Sequence, residues 1–242
     1  MSRGLGDVYK RQDVNLATVL EMGCWTPLER FGNGAEWQAR NLSQDDSAFD
    51  IYFQDRFQGR LHWSQYGLHS VYNALAALAA ARHAGVPVAE AIRALADFQG
   101  IKRRMEPRGT VNGITVYDDF AHHPTAIATT IAGLRARLDG GRIIAVLEPR
   151  SNTMRLGVFQ DKLAGSLAQA DRVVLYQAPD LGWELGKVAT SLAGRSQVCT
   201  SIQATIDAIR AQAGPGDQIL IMSNGGFGGI HTKLLKALKA QG

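Results

Sequence analysis

Between residues 69 and 84 alanine and leucine dominate, the strongest helix formers, and Gly85 stands where a C-terminal cap belongs. That pattern predicts a helix, and Pro87 opens a second one running to about residue 98. Upstream, the strand-like runs 49–54 and 60–64 flank a turn-rich spacer at 55–59 and predict a hairpin or neighbouring strands. A second hairpin follows, because Thr110-Val111 and residues 114–117 flank Asn112-Gly113, a pair that tolerates the positive φ angles of a type I′ turn. From Pro124 onward the pattern alternates. Helices are expected at 124–138, 159–170, 184–192, 202–213 and from 230, with strands at 142–147, 172–176, 197–200 and 218–222. Such alternation predicts an α/β fold with a mostly parallel sheet covered by helices. The short basic connector at 99–104 is the expected domain boundary.

Composition narrows the picture. With 242 residues and 45% apolar side chains, the chain has material for one large domain or two modest ones. The longest apolar run, residues 74–81, is far short of the roughly 18 residues that span a bilayer, so no membrane span is expected. Cys24 and Cys199 are too far apart in sequence to read as a disulfide framework or a metal-binding pair, which fits a reducing cytoplasm. Arg3, Lys10 and Arg11 against Asp7 place half of the net charge of +4 in the first twelve residues. The remainder carries little excess charge and no basic stripe with interleaved aromatics, so nucleic-acid binding is not expected. Residues 1–12 have no apolar core of a secretory signal and do not lead into the segment that follows; they are set aside from the fold as a leader of non-native character, a short flexible native tail being the alternative.

Ligands of open α/β sheets sit beyond the carboxyl ends of the strands, so the segments after the strands are searched first. Asp118-Asp119-Phe120-Ala121-His122-His123-Pro124 ends a strand with two carboxylates and precedes a helix with two imidazoles. Strand and helix ends often carry such residues for structural reasons; ligand contact and a metal site are the other readings, the last requiring a bent backbone to converge adjacent side chains. In Lys102-Arg103-Arg104-Met105-Glu106, guanidinium groups suit phosphates, although a short basic run is more often a solvated linker. His69 and Asn73 share one helical face, with a buried polar pair as the plain alternative. Glu148-Pro149-Arg150-Ser151-Asn152-Thr153-Met154-Arg155 is either a polar loop or a site in which Arg150 and Arg155 bind carboxylates and Ser151 and Asn152 hydrogen-bond a peptide. The stretch 223–229, containing Asn224 and Gly225, combines glycines that admit close backbone approach with a following helix start. No stretch gives the Gly, four residues, Gly-Lys-Ser/Thr pattern of a phosphate-binding loop.

Taken in order, these motifs resemble the Mur ligases. Tyr117-Asp118-Asp119-Phe120-Ala121-His122-His123-Pro124-Thr125 is similar to the start of that family's C-terminal domain, Gly67-Leu68-His69-Ser70-Val71-Tyr72-Asn73 to its nucleotide-side helix, and 148–157 to the members that add murein tripeptide. The resemblance implies that residues 13–98 are the C-terminal part of a central ATP-binding domain and residues 101–242 a Rossmann-like C-terminal, amine-substrate domain. It implies ATP contacts at Asn73, Arg104 and Asp119, with Ser70 departing from the family's asparagine. Peptide contacts are implied at Arg150, Ser151, Asn152, Arg155, Asn224 and Gly225, and nucleotide-proximal positions at His69, His122 and His123. The implied activity is an ADP-forming amide ligase in peptidoglycan recycling, using ATP and Mg2+ to join L-alanyl-γ-D-glutamyl-meso-diaminopimelate to UDP-N-acetylmuramate. The family's phosphate loop and magnesium ligands have no match here, so this chain alone is expected to be inactive. A non-catalytic peptide- or nucleotide-binding module is the alternative.

Overall fold

The computed structural model describes residues 7–10 and 14–240. The chain divides between Gly100 and Ile101 into two units, each with its own sheet.

The first unit comprises β1 (Asp7–Lys10), α1 (Val14–Glu21), β2 (Leu28–Phe31), β3 (Trp37–Arg40), β4 (Ala48–Phe53), β5 (Arg56–His62), α2 (Leu68–His83) and α3 (Val88–Ala96). Its strands lie in sequence order, parallel from β1 to β3 and antiparallel from β3 to β5. Residues 7–10, set aside in the reading of the sequence, pair with β2 from Asp7 opposite Leu28 to Lys10 opposite Phe31. Main-chain groups make that ladder, and four residues are too few to leave a periodic trace. β4 and β5 form the hairpin, but its turn is tighter than the composition of 55–59 implies. Gln54 and Asp55 take φ of 49° and 60°, the positive pair of a type I′ turn, and Arg56–His62 belong to β5.

Helix α2 buries Val71, Ala74, Leu75, Leu78 and Ala79 at helical spacing against Trp37, Phe49, Ile51 and Leu61 of the sheet. Leu75 and Leu78 are fully buried, each contributing about 2 kcal/mol of apolar transfer. The helix ends at Gly85, whose φ of 92° turns the chain toward Pro87, the N-cap of α3.

The second unit runs β6 (Glu106–Val111), β7 (Ile114–Asp119), α4 (Pro124–Arg137), β8 (Ile143–Leu147), α5 (Asn152–Arg155), α6 (Gln160–Ser166), β9 (Arg172–Tyr176), α7 (Gly186–Ser191), β10 (Ser196–Cys199), α8 (Ile202–Gln212), β11 (Gln218–Met222) and α9 (Ile230–Lys239). The sheet order is β10-β9-β8-β11-β7-β6, parallel throughout except for the antiparallel edge strand β6. Asn112 and Gly113 take φ of 51° and 75° between β6 and β7, as their identities require. Every residue of β8 is buried because both faces are covered. Ile143, Ala145 and Leu147 face α4, α6 and α7, while Ile144 and Val146 face α8 and α9. The segments leaving β7 and β8 therefore lead to one face and the segment leaving β11 leads to the other. The chain parts at the carboxyl end of β11, the place where an open α/β sheet forms a crevice.

Candidate functional site

Three strand ends build the rim of that crevice. At the end of β7, Asp119 is 2% exposed and its carboxylate accepts the Met105 N–H at 2.8 Å and the Ala121 N–H at 2.7 Å. It thus clasps the 103–105 turn, where Arg103 and Met105 take positive φ, to the segment that enters α4. Asp118 is buried on the other side of the strand, 3.5 Å from Arg103 Nε and 3.3 Å from His231 Nε2 in the first turn of α9. Burial by itself raises the Asp118 carboxyl, but contact with His231 and the charge of Arg103 outweigh it and hold the group below its ordinary 3.8. A depressed folded value contributes stability that is fully present above the unfolded value and is lost as pH falls through the folded one. Asp118→Asn is therefore expected to be less stable than the wild type at pH 7, with the gap closing below about pH 3.8. Thermal unfolding at pH 7 and pH 3 reads this directly, and a gap of equal size at both would remove the linkage.

Arg103 ties these elements to the end of β11. Its Nη2 donates to the carbonyls of Ser223 and Gly225, both at 2.6 Å, while its guanidinium lies 5.3 Å from the Phe120 ring. Arg104 is different. It is exposed, lies 5.5 Å from the same ring, and makes no ion pair among the described residues. Of the adjacent arginines, Arg103 is committed to the fold and Arg104 is available to an anion.

The two histidines also separate. His123 caps α4, its Nδ1 accepting the Thr125 N–H at 3.3 Å, and its ring meets Phe159 edge to face with centroids 4.5 Å apart. His122 donates from Nδ1 to the Phe120 carbonyl at 2.8 Å. Among the described residues no group of three His, Cys, Asp or Glu is gathered as a metal site.

At the end of β8, Glu148 is 6% exposed and accepts the Ser223 hydroxyl. Ser151 caps α5, accepting the Met154 N–H at 3.4 Å, and Asn152 is exposed. The arginines of this loop part company as well: Arg155 pairs with Asp180, whereas Arg150 has no acidic partner among the described residues. Arg150 lies along Gly225, where an added Cβ would fall 2.3 Å from Nη1 and 2.6 Å from Cδ. Gly225 is the residue that lets the guanidinium rest there. Asn224 buries its Oδ1 with no hydrogen-bond donor among the described residues.

In the first unit, Asn73 is exposed on α2 and His69 is half-buried beside Ser70 at 3.3 Å. Ser70 is buried and donates to the Tyr66 carbonyl at 2.8 Å, a local bond at the helix start. In the second unit, Asp119 also accepts the Thr130 hydroxyl at 3.5 Å. Sequence reasoning missed Glu148, Ser223, Arg103, Asp118 and His231 as site-building residues. The one advance signal was that Glu148 and Ser223 directly follow buried strands.

A doubly wound domain with its polar residues gathered at the carboxyl ends of parallel strands is a ligand-binding design shared by many chemistries. Residues 103–225 match the Mur ligase, glutamate ligase domain, and the chain belongs to the Mur ligase family. It is 47% identical over 232 residues to the UDP-N-acetylmuramate–L-alanyl-γ-D-glutamyl-meso-2,6-diaminoheptandioate ligase of Escherichia coli K12, covering 96% of this chain and 51% of that one. The ligase of the same name from Haemophilus influenzae is 45% identical over 221 residues, covering 91% and 49%. The crystal structure of a murein peptide ligase from Psychrobacter arcticus 273-4 superposes with a TM-score of 0.75 at 44% identity, covering 97% of this chain and 51% of that one. The chain spans about half the length of the curated relatives it matches.

Proposed function

We propose that this chain is the C-terminal portion, including the amine-substrate domain, of an ATP-dependent amide ligase that joins L-alanyl-γ-D-glutamyl-meso-diaminopimelate to UDP-N-acetylmuramate in the cytoplasm. The observation that carries the reading is an unpaired cation, Arg150, held against Gly225 at the sheet crevice of a chain 47% identical to a relative named for that substrate. A planar guanidinium with no internal partner suits a carboxylate, and the peptide named for the relative has several. Ser151, Asn152 and Asn224 supply neutral hydrogen-bonding groups along the same rim. Arg155, already paired with Asp180, takes second place to Arg150.

In this reading ATP and Mg2+ activate the sugar acid's carboxyl as an acyl phosphate, and the peptide amine displaces phosphate. Asn73 of the first unit, and Arg104 and Asp119 of the second, are each assigned to nucleotide contact. Residues 13–98 belong to the central ATP-binding domain and residues 101–242 to the amine-substrate domain. The 242 residues alone form no amide bond, because no stretch provides a phosphate-binding loop.

Calorimetric titration of the folded chain with the tripeptide tests the proposal. Saturable binding is expected, weakened about tenfold or more by Arg150→Ala, since a charge-assisted pair is worth about 1.5–3 kcal/mol. Unchanged affinity in that variant would remove Arg150 from the site. ADP release that requires both substrates would overturn the claim that these residues are inactive alone.

A further inference from the structure

Glu148 presents a puzzle in charge balance. Its backbone N–H donates to the Met222 carbonyl at 3.0 Å, which sets the side chain beside the end of β11. The residue is 6% exposed, yet its only side-chain partner among the described residues is the Ser223 hydroxyl, which donates to Oε2. No lysine, arginine or histidine pairs with it among those residues. Arg103, which reaches the same strand end, spends its Nη2 on the Ser223 and Gly225 carbonyls. Glu148 Oε1 is bonded by no donor among the described residues and is not among the oxygens closed off without a partner, so it stays open to a cation from outside the chain. The residue after Ser223 repeats the imbalance, because Asn224 buries Oδ1 without a donor. Ser223 thus bonds Glu148 and precedes Asn224, whose Oδ1 has no donor among the described residues, while Arg150, two residues beyond Glu148, has no anion among them.

A single chemistry answers both vacancies on the acceptor side: an alkylammonium, which brings positive charge and three N–H donors to a small volume. Resting on the tripeptide reading above, we infer that Glu148 Oε1 and Asn224 Oδ1 receive the alanyl ammonium of the incoming peptide, the amine that becomes the nucleophile. Ser223 holds the carboxylate from its other oxygen. Glu148 and Arg150, two residues apart on one loop, then read opposite charges of the same substrate, so that the peptide enters amine end toward Glu148 and carboxylate toward Arg150.

The test is calorimetric titration of the full chain with the free tripeptide and with the same peptide acetylated on the alanyl nitrogen. Wild type is expected to bind the acetylated peptide at least about tenfold more weakly, as loss of a charge-assisted contact implies. Glu148→Gln keeps the shape and an acceptor for Ser223 while removing the charge. It is expected to weaken the free peptide by about the same factor and leave the acetylated peptide unchanged. Equal affinity of wild type for the two peptides overturns the inference and leaves the tripeptide reading standing, a comparison that needs no variant to fold. A Glu148→Gln loss that is the same for both peptides also overturns it, by assigning the carboxylate to some other group. Failure of folded wild type to bind either peptide removes the tripeptide reading itself, and the inference with it.

Discussion

Replacing Asp119 with alanine is expected to destabilise the 101–240 unit by about 3 kcal/mol, because it strands two backbone N–H groups that have no other acceptor in the clasp. Those donors, on Met105 and Ala121, lie on opposite sides of the carboxylate in the chain, one before the β6–β7 hairpin and one after it. The turn they close holds Arg103 at φ 60° and Met105 at φ 49°, conformations that persist only when the surroundings fix them. In thermal unfolding the loss corresponds to a fall in Tm of roughly 10 °C. Asp119→Asn keeps one acceptor and should lose about half as much. A Tm within 2 °C or so of wild type for the alanine variant would show that the clasp contributes nothing.

The second large effect is expected at Arg103. Arg103→Ala should cost about 3 kcal/mol, since it leaves Asp118, whose side chain is 6% exposed, without its guanidinium and frees two carbonyls at the end of β11. Lysine should recover less than half, because a single ammonium on a flexible stem cannot hold two carbonyls and face Asp118 together. Chemical denaturation gives the magnitude. Backbone amide exchange at residues 224–226 shows whether the loop has loosened. Full recovery by lysine would mean that charge alone matters there and the fork does not.

These residues show why part of the molecule was legible in its sequence and part was not. The hairpin at Asn112-Gly113 follows from local φ preferences, and strands β9 and β11 coincide with the apolar runs 172–176 and 218–222, because their information sits within a few residues. Strands β1, β2 and β3 were missed. Each has four residues with no clean alternation, and their pairing is settled by neighbours. The turn of the first hairpin was misplaced by its composition: Gln54 and Asp55 make the reversal, whereas Gly59 lies inside β5 with Ile51 opposite.

At the site the same division holds. The Asp118–Pro124 and Glu148–Arg155 segments could be found from their positions after strands. The separate duties of their residues could not, because they depend on partners far along the chain. Arg103 meets Gly225 across 122 residues, and Ser223 meets Glu148 across 75. No local pattern tells Arg103 from Arg104, or Arg150 from Arg155; in each pair an internal partner claims one and leaves the other. Glu148 escaped notice because a search for groups that grip carboxylates looks for cations.

The place of β11 in the sheet bears on how the chain is made. It is the last strand among the described residues, yet it lies between β7 and β8 and hydrogen-bonds to both. While the polypeptide is being synthesised, the β6–β7 hairpin and the β8–β9–β10 layer therefore have no common neighbour until residues 218–222 have left the ribosome exit tunnel. Until then each exposes an unpaired strand edge, the surface that invites association with other nascent chains. This unit is thus expected to complete its sheet only once residues 218–222 have emerged, and nascent chains released before Met222 should be targets for chaperones and proteases.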